Sequence, residues 1–196
     1  MRKTFVTPCL AVACLLITFS CLAHPAPVFN SSMQTISQIP LPEGFERVTI
    51  FPNSFSAYLR NLPLRKDNIV YLFDHRPKIN QSLHYAVIDI STGEKDLQQC
   101  ADAVMRLRAE YFFAREMYDS IRFPKDNRSF YQFSNFVRGD MTRTRENFRR
   151  FMETVFINCG TYSLQQQLKL VAHFSTIQIG GCIGQSWRTR PCGNSG

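Results

Sequence analysis

The sequence predicts an α+β domain, a mixed or antiparallel sheet packed against a central amphipathic helix over Asp96–Tyr111. Three observations lead to this class. Leu97, Cys100, Ala101, Val104, Leu107 and Tyr111 recur at helical spacing. Phe148, Phe151, Met152, Val155 and Phe156 do the same in a second segment. Short runs rich in β-branched and aromatic residues, at 47–51, 69–73 and 83–90, read as strands.

Composition narrows the class. The chain has 196 residues, of which 44% are hydrophobic and 19% charged, so it can bury a core and is not disordered. The net charge is +8. Such a surface favours anionic partners, although a solvated positive face is the simpler reading.

The elements follow in order. Residues 1–23 have the plan of a secretory signal peptide. Arg2 and Lys3 precede a mostly apolar stretch from Phe5 to Phe19, which is too short for a comfortable membrane span. Cys21-Leu22-Ala23 suits cleavage before His24. A second exit, lipidation at Cys21, has Thr18 where a lipobox favours Leu. Either exit places the protein in the periplasm or cell envelope, with no transmembrane helix in the mature chain. Residues 24–42, rich in Pro, Ser and Asn, form a linker. Residues 43–179 form a single α+β domain.

Within that domain, 47–51 reads as a strand. Asn53 caps a helix carrying Phe55, Tyr58, Leu59 and Leu62, which Pro63 ends. The run 69–73 reads as a buried strand. Residues 83–90 read as a strand with Tyr85, Val87 and Asp89 on one face. Asp96 then caps the central helix, with Gln99 completing a capping box. Asp102, Arg106 and Glu110 succeed one another at i, i+4 on its wet side. Residues 123–140 show no period and read as loop. In the second long helix Arg149 and Arg150 lie opposite the apolar face, with Glu146 and Glu153 in reach. The group Arg143, Arg145, Arg149 and Arg150 has the charge to grip phosphates, but interleaved acids favour a salt-bridged wet face. Gly160 breaks this helix, and Leu164, Leu168 and Val171 continue at helical spacing.

Candidate chemistry is sparse. The histidines, His24, His75, His84 and His173, show no zinc-ligand spacing, and no CxxC, Walker loop or GxSxG occurs. No metal or cofactor is expected, and nucleic acid is not an expected partner. Cys100 is the candidate nucleophile. It falls in the first turn of the expected helix, on its buried edge, where free N–H groups and the helix dipole favour a thiolate. A small apolar cysteine would also pack there. Cys159 is the other thiol of the domain, and an oxidising compartment allows the two to pair.

The landmarks Ser54-Phe55, Leu62-Pro63-Leu64, Ala86-Val87-Ile88-Asp89-Ile90, the run Asp96-Leu97-Gln98-Gln99-Cys100-Ala101-Asp102, Arg106-Leu107-Arg108-Ala109-Glu110-Tyr111 and Gly160-Thr161 resemble one family. It is the bacterial exported family known as domain of unknown function 4846. The resemblance covers roughly residues 40–180. It implies an exported envelope protein and names no activity. It also implies that a Gly-Asp-Val strand and a Pro-Gly-His-Ala turn follow Ile179. Residues 180–196 carry neither, so they are expected to be an aberrant, disordered tail left by truncation or a shift of reading frame, with the domain incomplete at its C-terminal end.

Two functional expectations result. One is a non-catalytic envelope domain with a binding or structural role, whose partner is cell-wall peptide or an anionic envelope component. The other follows from a cysteine that opens a helix ahead of a histidine that opens a strand, a layout similar to papain-like hydrolases of the NlpC type. There Cys100 would attack an acyl carbon of cell-wall peptide. The histidine missing after Ile179 would leave that activity absent here.

Overall fold

The structure, a computed structural model, describes residues 28–126, 128–138, 142–170 and 185–187. The expected signal peptide, His173 and most of 180–196 lie outside the described residues. Among the described residues there are five α-helices and four short strands: α1 (Phe55–Arg60), α2 (Cys100–Ala114), β1 (Arg122–Pro124), β2 (Phe130–Gln132), α3 (Phe133–Phe136), α4 (Arg145–Asn158), α5 (Thr161–Gln167), β3 (Leu168–Leu170) and β4 (Gln185–Trp187). Strands β1 and β2 form one antiparallel pair, and β3 and β4 another. The chain is therefore α+β, with helices dominating.

The core is aromatic. Phe123 of β1, Phe133 of α3 and Phe148 and Phe151 of α4 are fully buried around Met105 and Met152. Phe133 meets Phe148 edge to face at 5.8 Å and Phe151 at 5.5 Å. Each such ring, removed from water, contributes about 1.5–3 kcal/mol, and the edge-on geometry adds about 0.5–1.5 kcal/mol per pair.

Helix α4 follows its sequence pattern. Phe148, Phe151, Met152 and Val155 are buried while Arg149 and Arg150 are exposed. The Thr144 hydroxyl accepts from the Asn147 amide and starts the helix. Helix α1 also forms where expected, but Ser54 caps it by accepting from the Ala57 amide at 3.1 Å. Asn53 lies one residue too early, at φ 61°.

Helix α2 departs from expectation in two ways. Asp96 lies in a turn, where the Leu97 amide bonds the Lys95 carbonyl, and Gln99 is the N-cap. Asp102, three residues on, accepts the Gln99 amide at 3.0 Å. The buried face is also nearly opposite to the expected one. It holds Asp102, Met105, Arg106, Ala109 and Glu110, whereas Val104, Leu107 and Tyr111 are only partly covered. Apolar residues occur on every side of α2, so their spacing alone does not select a face. The choice is made by Met105 and Ala109, which enter the aromatic core, and by Tyr111, which supports α1 through Phe55 and Tyr58 at 5.4 and 5.6 Å.

The runs expected as strands form only isolated bridges. Residues 47–51 are a largely exposed loop. Leu64 bridges Ile88, and Tyr71 bridges Pro77 across a turn in which His75 has φ 64°. The Gln81 side chain explains why 69–73 stops short of a ladder. Its amide accepts from the Val70 N–H and donates to the Val70 carbonyl, both at 3.0 Å, where a neighbouring strand would bond. Residues 123–140, expected as loop, contain the β1–β2 hairpin and α3 instead. The hairpin turn is closed by Asp126, whose carboxylate accepts the amides of Arg128 and Ser129 at 2.8 Å. Leu168 opens β3 where the helix was expected to continue, and β4 places a strand within 180–196.

Candidate functional site

Three side chains of α2 that resemble a solvent-exposed ladder point inward, towards α4. The i, i+4 spacing stacks Asp102, Arg106 and Glu110 one above another. The Arg106 Nε donates to Glu110 Oε1 at 2.8 Å, and these side chains are 9% and 8% exposed. The second Glu110 oxygen accepts from Arg145, at the start of α4. One buried carboxylate thus holds two guanidinium groups. Desolvation of such a group costs several kcal/mol unless its partners are close and well aimed. Here each carboxylate oxygen has its own donor.

Aromatic faces hold the arginines in place. Arg145 lies over Phe113 at 4.7 Å and Phe148 at 5.6 Å, and Arg106 lies over Phe148 at 5.9 Å. Arg149, one turn after Arg145, has no bonded partner among the described residues. Glu153, expected to pair with the arginines of its own helix, instead takes Lys95 at 2.7 Å.

Arg106, Glu110, Arg145 and Arg149 line a cleft of about 420 Å³ between α1, α2, α4 and the segment 89–91. Tyr58, Leu62, Pro63 and Ile90 form its apolar side. Burial, reinforced by the Glu110 charge, pushes the Tyr58 phenol up to about 12, so it stays a neutral hydroxyl. A smaller cavity of about 30 Å³ shares Ser91, Arg106 and Arg149 and runs on towards Lys95. A further cavity of about 390 Å³ lies along 89–93 on the side of Arg65 and His75. There the arginine is engaged, because Arg65 pairs with Asp67 at 2.8 Å and lies 3.7 Å from Asp89. The cleft of Arg106, Arg145 and Arg149 is therefore the better candidate for an anion.

The structure does not place Cys100 in this cleft. It is the first residue of α2, exposed rather than on a buried edge, and it lines none of these three cavities. Its Sγ has no hydrogen-bond partner among the described residues. His84 is bonded elsewhere, its Nε2 lying 2.9 Å from the Asn68 carbonyl. Cys159 is buried, and its thiol donates to the Pro124 carbonyl at 3.6 Å. Burial pushes that thiol up. Both cysteines are free. Asp102 closes the lower end of the α2 ladder. Its carboxyl is raised, chiefly by burial, and its Oδ1 is buried without a partner. No group of three or more His, Cys, Asp or Glu arranged for a metal occurs among the described residues.

The sequence signal for the cleft was faint but present. Arg145 and Arg149 recur at i, i+4, as do Arg106 and Glu110, and only the fold reveals that the two pairs face each other. Tyr58 and Ser91 carried no signal.

The profile of the domain of unknown function 4846 matches residues 36–187. The chain belongs to this family. Every element named above falls within the match, including α2, α4 and the segment 89–91 that line the cleft. No curated protein and no solved structure matches the chain. No helix among the described residues is long and apolar enough to cross a membrane.

Proposed function

We propose that this family member is an exported protein of the cell envelope whose domain binds an anionic envelope component without chemically altering it. The observation that carries this reading is the cleft itself. It gathers three arginines from two helices, two of them fixed by one buried glutamate, beside an apolar wall. Its shape and size suit a small ligand or the end of a longer one. The alternative, a cysteine hydrolase acting on cell-wall peptide, needs its nucleophile beside the bound substrate. Cys100 lies outside the cleft, which favours binding over turnover. Export rests on the charged and apolar plan of residues 1–23.

Two measurements test the reading. Protein recovered from the envelope should begin at His24 by mass analysis, and a cytoplasmic protein retaining Met1 would refute export. Purified protein incubated with cell-wall peptidoglycan should release no soluble fragments. Release by the native chain that is abolished by Cys100→Ser would establish the hydrolase instead.

A further inference from the structure

We propose that the cleft between α2 and α4 is a subsite for a single carboxylate borne on a small, partly apolar body; this rests on the binding reading above and specifies its ligand. Charge balance selects the anion. Three guanidinium groups and two carboxylates, Glu110 and Asp89, line the cleft, leaving one positive charge. Asp89 is 59% exposed and lies 3.7 Å from Arg65, so part of its charge is offset outside the cleft, and the net positive charge lies between one and two. A monoanion is accommodated across that range, whereas a phosphate dianion needs Asp89 to be fully offset and sets its second charge near the buried Glu110 carboxylate.

The donors fit the same ligand. Arg106 commits its Nε to Glu110, and its remaining guanidinium nitrogens have no protein acceptor among the described residues. Arg149 brings a whole fork. A guanidinium fork presents two parallel N–H groups matched to the two oxygens of a carboxylate. Glu110 and the Phe113 and Phe148 rings hold Arg106 and Arg145 in place before the ligand arrives, so little side-chain entropy is lost on binding. Leu62, Pro63 and Ile90 line the same cleft as apolar groups, and the neutral Tyr58 hydroxyl is available as a donor. A free C-terminal dipeptide has this combination: one carboxylate, short aliphatic side chains and an amide.

Isothermal titration of the full chain provides the test, with N-acetyl-alanyl-alanine, its C-terminal amide and inorganic phosphate as probes. The acid should bind saturably. Binding of the acid should weaken about tenfold or more in Arg149→Ala, the loss of a charge-assisted hydrogen bond, and recover only partly in Arg149→Lys, which lacks the fork. Arg149 is exposed, so both variants should fold, and unchanged thermal unfolding would establish that. The amide should bind at least tenfold more weakly than the acid. No binding of the acid at 10-fold molar excess over about 1 mM protein, equal binding of acid and amide, or tighter binding of phosphate would each overturn the proposal. Failure here with no peptidoglycan release would remove the carboxylate subsite and leave the binding reading standing, whereas peptidoglycan release would remove the binding reading itself.

Discussion

Glu110→Ala separates a buried charge ladder from a surface one. If the ladder faced water, as its spacing implies, the substitution would remove an i, i+4 pair worth about 0.3–0.5 kcal/mol. In the structure it removes the acceptor of a guanidinium whose side chain is 9% exposed. Arg106 then remains buried without a counter-charge, a loss of about 3–5 kcal/mol. The Arg145 contact adds little, because that side chain is 54% exposed and solvent screens it. For a domain of this size the loss lowers the unfolding midpoint by about 6–20 °C, at about 2–4 °C per kcal/mol. The assay is urea unfolding followed by circular dichroism, run as a double-mutant cycle. Arg106→Met alone should also destabilise, by leaving Glu110 with only Arg145. The pair Arg106→Met with Glu110→Leu should recover most of the loss, because an apolar replacement of a buried ion pair avoids its desolvation cost. A cost below about 1 kcal/mol for Glu110→Ala would refute the inward placement of the ladder, and the cleft with it.

Three further outcomes follow from the same geometry. Asp102 has a raised folded-state pKa, so as pH rises the unfolded chain loses this proton first, and the group's contribution to stability falls from about pH 4 upward. Asp102→Asn should therefore gain on the native protein with increasing pH, read from denaturant midpoints between pH 4 and 7, and a constant difference would contradict the raised pKa. Iodoacetamide followed by peptide mapping should label exposed Cys100 rapidly, and buried Cys159 only on unfolding; equal rates in the folded protein would place the two thiols alike. Phe133→Ala, at the centre of the aromatic core, should cost about 3–5 kcal/mol in the same urea assay, and a cost near zero would remove the ring from that core.

Legibility followed the strength of the local pattern. Helix α4 could be read from sequence because Phe148, Phe151, Met152 and Val155 occupy one face while Arg149 and Arg150 stay exposed off it. Helix α2 could be read as a helix but not oriented. It carries Met105 and Ala109 on one side and Val104, Leu107 and Tyr111 on the other, and Asp102, Arg106 and Glu110 lie on the side that the core takes. The rule that charge faces water failed there because Arg106, Glu110 and Arg145 satisfy one another. The β1–β2 hairpin has three-residue strands, too short to show alternation, and one of them ends at Pro124. Residues 69–73 look like a strand by composition, yet the amide of Gln81 takes the bonds that a neighbouring strand would need. Cys100 drew attention by type and position, and the fold leaves it on the surface. The family, by contrast, was legible from long runs such as Asp96–Asp102, because identity of residues survives where orientation does not.

The most direct test of a ligand-binding cleft between α2 and α4 is a two-dimensional ¹⁵N spectrum of the arginine Nε–H groups and the backbone amides, recorded while N-acetyl-alanyl-alanine is titrated in. The Nε–H signals of Arg106 and Arg149 should shift along one saturating curve, while the amides of Cys100 and Ala101 stay in place. Shifts confined to the start of α2 around Cys100, with the arginine signals unmoved, would contradict the account and return the function of the domain to its cysteine.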